Sequence, residues 1–82
     1  MAIYKIHLDL SLVISRLKAF KLREYNSAFP IVFVEAKSPD DACFKVVYNL
    51  LKMILDQDDS VEARLLCRNI RKDIRVLKAI CK

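Results

Sequence analysis

Residues Arg64 to Lys82 read RLLCRNIRKDIRVLKAICK, and whether this stretch is one long helix or a helix that gives way to a strand decides how the chain folds. It holds seven Lys or Arg against one acidic residue, Asp73. On a helical wheel, Ala63, Leu66, Cys67, Ile70, Ile74, Leu77, Ile80 and Cys81 share an arc of about 140°. The basic residues Arg64, Arg68, Arg71, Lys72, Arg75, Lys78 and Lys82 share another arc of about 120°. As a strand, Ile74, Val76, Lys78 and Ile80 would face one way and Arg75, Leu77, Ala79 and Cys81 the other, so neither face is clean. The helical reading sorts the residues better and predicts continuous helix from about Val61 to about Ala79. A terminal strand from about Asp73 is the alternative.

Upstream of this tail, DQDDS (56–60) breaks the chain, and Ser60 is a good N-cap with Glu62 in the first turn behind it. The preceding stretch, KSPDDACFKVVYNLLKMILDQDDS (37–60), announces another helix. Ser38 suits the N-cap, Pro39 the first helical position, and Asp40 and Asp41 place negative charge at the positive end of the helix dipole. Apart from Asp40 in the first turn, its polar residues Asp41, Lys45, Asn49, Lys52 and Asp56 occupy an arc of only about 80°, so most of its surface is apolar. Such a helix needs cover on more than one side. It should lie between a sheet and another helix, or form a homodimer interface through residues 39–56.

The first segment alternates, with Tyr4, Ile6, Leu8, Leu10 and Leu12 on one side and Lys5, His7, Asp9 and Ser11 on the other, which describes a half-buried strand. IVFVEA (31–36) has the β-branched and aromatic content of a second strand, and Phe20–Glu24 is expected to pair with it through a turn at Asn26 and Ser27. The chain contains no glycine, so Asn26 is the residue expected to take a left-handed conformation there. These readings give one α+β domain, residues 1–82, with a small three-stranded antiparallel sheet followed by two helices packed on one face (βββαα). The alternative has a C-terminal strand from about residue 73.

Absence of glycine also excludes the phosphate loop and the dinucleotide fingerprint, both of which need backbone to approach an anion closely. Apolar residues make up 55% of the chain and charged ones 30%, which favours a folded domain over a disordered tail. The most apolar run, VVYNLLKMIL (46–55), is half the length of a membrane span and contains Lys52, so no membrane insertion is expected. Lys5, His7 and Asp9 interrupt the pattern that a secretory leader would show. Cys43, Cys67 and Cys81 are odd in number and widely spaced, with a single histidine in the chain, so reduced thiols are expected and no metal or other cofactor. Together these features predict a reducing, cytoplasmic setting.

His7, Asp9 and Ser11 spell the letters of a catalytic triad, but three residues in line along a strand do not supply an oriented base and an oxyanion hole. No enzymatic function is expected. The aromatic residues read as core and sheet packing rather than as a stacking platform for bases. What remains is charge, which is local: residues 1–37, 38–59 and 60–82 carry +3, −3 and +5. Like charges spaced four apart, such as Arg64 with Arg68 and Arg71 with Arg75, repel by a few tenths of a kcal/mol each on a helix. Four of the seven basic residues are Arg, whose planar fork suits phosphate and carboxylate. The expectation is therefore a non-enzymatic protein that binds nucleic acid through the phosphate backbone, using Arg64, Arg68, Arg71, Lys72, Arg75, Lys78 and Lys82 on a basic C-terminal helix. The alternative is a small adaptor, subunit or inhibitor, of the kind phages and mobile elements encode, docking on an acidic protein surface.

Overall fold

The alternating first segment forms strand β1 (Ala2–Asp9) in the computed structural model, which describes residues 1–82. Tyr4, Ile6, Leu8 and Leu10 are buried, while Lys5, His7 and Asp9 lie half-exposed on the other face. The alternation stops short of Leu12. The Asp9 carboxylate accepts hydrogen bonds from the Ser11 N–H at 2.9 Å and the Ser11 hydroxyl at 2.5 Å, which turns the chain and leaves Leu12 exposed.

Residues 10–30 do not form the expected hairpin. They build a short helix α1 (Ile14–Leu17) and a 3₁₀ turn, Arg23–Tyr25, in place of a strand at Phe20–Glu24. The reason lies in the spacing of the apolar anchors. Leu22 and Tyr25 are three residues apart and both buried, which a helical turn achieves and a strand does not. Gln57 fixes this loop from the far end of the next helix, accepting from the Lys21 N–H at 2.8 Å and donating to the Lys21 carbonyl at 2.6 Å. With so long a connection, no tight turn is required. No residue has positive φ, and Asn26 sits at φ −94° rather than in the left-handed region.

The second strand, β2 (Ile31–Ala36), pairs antiparallel with β1 from Ala2↔Ala36 to His7↔Ile31. Helix α2 (Pro39–Gln57) then crosses the sheet, burying the row Ala42, Val46, Leu50 and Ile54. Its start follows the expected chemistry: Ser38 Oγ accepts from the Asp41 N–H at 3.1 Å, and the Asp41 carboxylate accepts from the Lys37 N–H at 3.0 Å. Helix α3 (Val61–Ile70) is capped the same way by Ser60 and buries Ala63, Cys67 and Ile70. Both helices lie on one face of the sheet and share a single, wholly apolar core with it and with the 10–30 loop.

The tail overturns the continuous-helix reading. After Ile70 come a 3₁₀ turn, Arg71–Asp73, and strand β3 (Arg75–Cys81), which pairs antiparallel with β1. The chain is thus an α+β fold with element order ββααβ and sheet order β2-β1-β3. The third strand comes from the tail and not from Phe20–Glu24.

One irregularity explains why the strand pattern looked unclean. His7 pairs with Lys78 but Leu8 pairs with Val76, so Leu77 has no partner and bulges out, exposed. The bulge shifts the alternation by one residue. Ile74 and Val76 before it, and Ala79 and Cys81 after it, share the helix-covered side, whereas Arg75, Lys78, Ile80 and Lys82 share the other. A regular strand would have put Lys78 against the core.

Removing Leu77 alone should therefore restore strict alternation, leave the buried set unchanged, and alter unfolding free energy by less than about 1 kcal/mol. Removing Ala79 instead should turn Ile80 towards the core and Cys81 away from it, and lower stability more; denaturant unfolding of the two deletions checks the order. At the start of α2, the hydrogen bond from the Lys37 N–H, aided by Lys45, holds the Asp41 carboxyl below the usual carboxylate range. A depressed folded value stabilises above the unfolded value and is lost as pH falls through the folded one. Asp41→Asn should therefore destabilise at pH 7, and its difference from the parent should close as pH drops below about 4; melts across pH 2–7 read this.

Candidate functional site

α2 and α3 lie on one side of the sheet, and α1 joins their core through Leu17, so the other side has no helical cover. Register places Ile31, Phe33 and Glu35 of β2, Ile3, Lys5, His7 and Asp9 of β1, and Arg75, Lys78 and Ile80 of β3 on that open face. Lys82, whose N–H donates to the Ile3 carbonyl at 2.8 Å, extends the row. Its ammonium lies 4.9 Å from the centre of the Phe33 ring, a cation–π contact. Exposed side chains on this face include Phe33 at 53%, Ile3 at 49%, Ile31 at 46% and Ile80 at 40%.

Of the seven basic residues expected on one helical stripe, the fold brings Arg75, Lys78 and Lys82 together here. Arg64 and Arg68 lie on α3, in the helix layer, and Arg71 and Lys72 lie in the turn that enters β3. The stripe is divided because the helix ends at Ile70, and a strand does not continue a helical arc. Arg64 is also occupied: its Nε and Nη2 donate to Asp59 at 3.1 and 2.9 Å.

In the sequence alone, Lys5 and His7 read as the solvent side of a strand and Phe33 as packing. The structure adds them to the face. The available signal was IVFVEA itself, where Ile31 and Phe33 alternate with Val32 and Val34, so the strand is apolar on both sides although only one can meet the core.

Charge on the face is largely unpaired. The ion pairs of the molecule join Arg16 to Asp73, Lys45 to Asp41, Lys52 to Asp56 and Arg64 to Asp59, leaving Lys5, Arg75, Lys78 and Lys82 without a carboxylate within 4.0 Å. Two acids share the face. Glu35 lies opposite Ile3, and Asp9 opposite Arg75, where hydrogen bonds from Ser11 and then the Arg75 charge hold its carboxyl below the usual range. Asp9 and Ser11 are thus bound to each other in a turn, while His7 pairs with Ile31 and Lys78 on its two sides.

Two clefts flank Phe33. One of about 600 Å³ is a shallow recess on the open face, lined by Met1, Ala2, Ile3, Phe33 and Lys82. The other, about 540 Å³, runs past the outer edge of β2 between the Lys21–Tyr25 segment and α2. It is polar, with Lys52 held by Asp56 and Gln57 by the Lys21 backbone. No three His, Cys, Asp or Glu side chains lie close enough to hold a metal ion, and no helix is long and apolar enough to cross a membrane. Comparison with protein-family models, curated proteins and solved structures finds no match to this chain.

The three thiols are free and differ in access: Cys81 is exposed, Cys43 half-buried and Cys67 buried. Burial pushes the Cys67 and Cys43 thiols up, with Asp40 adding to the effect at Cys43. A maleimide at neutral pH should label Cys81 first, Cys43 more slowly and Cys67 last, as peptide mapping by mass spectrometry would show. Had the tail been one helix, Cys81 and Cys67 would share its apolar arc and be protected together.

Proposed function

We propose that this protein is a non-enzymatic nucleic-acid-binding protein that meets the phosphate backbone with the open face of its sheet. The observation that carries the reading is the convergence there of Lys5, Arg75, Lys78 and Lys82, none held by an ion pair, on a surface that no helix covers. Unpaired ammonium and guanidinium groups in a row release condensed counterions when they meet phosphates, which makes binding favourable and salt-dependent. The basic residues left on α3 are secondary in this reading, because Arg64 is already paired and Arg68 belongs to another layer.

The test compares two sets of substitutions in nucleic-acid binding across a salt series. Lys5→Gln, Arg75→Gln and Lys78→Gln together should weaken binding strongly and flatten the plot of log K against log salt by about 2 to 3 units. Arg64→Gln with Arg68→Gln should change it little. Equal loss from both sets would move the site to the helix layer, and no binding by the parent protein would remove the reading. Retention on polyglutamate but not on nucleic acid would point instead to an acidic protein surface.

Self-association through α2 stands as a second proposal. Phe44 and Tyr48 remain 58% and 53% exposed, their rings stacked with centroids 6.1 Å apart, on a helix whose Val, Leu, Ile and Met side chains are all buried or half-buried. Sedimentation should show a dimer that Phe44→Lys dissociates; a monomer at high micromolar concentration would end the idea.

A further inference from the structure

Resting on the nucleic-acid reading, we infer that the open face takes a single strand and not a duplex, with a base stacked on Phe33 in the recess formed with Ile3 and Lys82. Width is the first argument. Neighbouring strands lie about 4.8 Å apart, so a three-stranded face is broader than the two-stranded ribbon that a B-DNA major groove of about 12 Å admits. A duplex could touch this face only along its phosphates. Ile3, Ile31, Ile80 and Phe33 would then lie against a charged, hydrated surface that offers them no apolar contact.

A single strand presents both things the face has to offer a partner. Its phosphates can meet Lys5 and Lys78, which lie on neighbouring strands two register steps apart, since Lys5 pairs with Ile80 and His7 with Lys78. Its bases have π-faces that stack on an exposed aromatic ring whatever their identity. Phe33 is the aromatic residue the face provides, standing beside a shallow recess of about 600 Å³ with an ammonium 4.9 Å from its ring centre. A base entering the recess takes the place of the Lys82 ammonium over the ring, and that cation is then free to follow the adjoining phosphate. The chemistry is sequence-tolerant, because stacking and charge read no base edge. Eight residues of β1 at about 3.3 Å each make the face about 26 Å long, enough for a site at the short end of the range of about 4 to 16 nucleotides that single-strand-binding OB folds cover.

Fluorescence anisotropy with labelled dT and rU decamers, and with a duplex of the same length, tests the inference on the full chain. The parent protein should bind the single strands more tightly than the duplex at equal salt. Phe33→Leu, which keeps an apolar strand residue and should melt close to the parent, should weaken single-strand binding by about fivefold or more, since stacking contributes about 1 kcal/mol or more per base. Its salt slope should stay unchanged, because no cation is lost. Should Phe33→Leu fail to fold, Phe33→Tyr keeps the test open: binding at or near the parent level agrees with stacking, and a loss of fivefold contradicts it. Equal affinity of the parent and Phe33→Leu, or tighter binding of duplex, overturns this inference while leaving the phosphate reading standing. No binding to any of the three probes overturns both.

Discussion

β1 is the central strand, and its backbone needs partners along both edges. β2 satisfies one edge through a register from Ala2↔Ala36 to His7↔Ile31. The other edge would run bare beside the helices if the tail continued as α3, leaving a row of N–H and C=O groups of the central strand without protein partners, the Ile3 carbonyl among them. Pairing with β3 removes that row, and it draws the chain out of helix within a single 3₁₀ turn after Ile70. Everything else about the surface depends on this exchange. It gives the sheet its third strand, closes the core over Ile74 and Val76, and decides which cations share a face.

The bulge at Leu77 lets the pairing work with this sequence. Lys78 would otherwise point into a core that holds no charged side chain. Burying an unpaired ammonium costs several kcal/mol, far more than the local disruption of one ladder step. The extra residue turns Lys78 outward and returns Ala79 to the covered side opposite Ile6. It also guards the edge, since a bulged strand with Arg75 and Lys78 on it makes a poor template for further strand addition. Structural tidiness and an available cationic face thus come from the same residue.

The molecule is small, and its core is accordingly shared by every element. Leu10, Val13, Leu17, Leu22 and Tyr25 of the loop join Leu50 and Ile54 of α2 and Ile70 of α3, so the loop between β1 and β2 is a structural wall and not a free excursion. Domains of this size bury only about 60 to 65% of the surface that their unfolded chains expose, so few of the available apolar residues can stay outside without reason. Of those that do, Ile3, Ile31, Phe33 and Ile80 gather on the open sheet face and Phe44 and Tyr48 on α2, while Leu12, Phe29, Val61, Leu65 and Leu77 are exposed elsewhere. The cations beside the first group have no carboxylate partner, whereas Lys45 and Lys52 beside the second are paired with Asp41 and Asp56.

The sequence by itself settled whatever local chemistry decides. Ser38 and Ser60 cap their helices as their side chains suggested, Pro39 opens α2, the alternation of β1 and the β-branched IVFVEA segment make strands, and the α+β class follows from them. Two things were out of its reach. Phe20 to Glu24 reads as a strand until a core exists for Leu22 and Tyr25 to fill, and Ile74 to Cys81 sort better as helix until β1 offers an unpaired edge. The candidate site shares this dependence. The cations of the tail were visible as charge, but their grouping with Lys5 and Phe33 was not, because pairing and a one-residue bulge are long-range facts. A helical wheel or a period-two count registers only neighbours in sequence, whereas a strand takes its register from hydrogen bonds to a partner some seventy residues away.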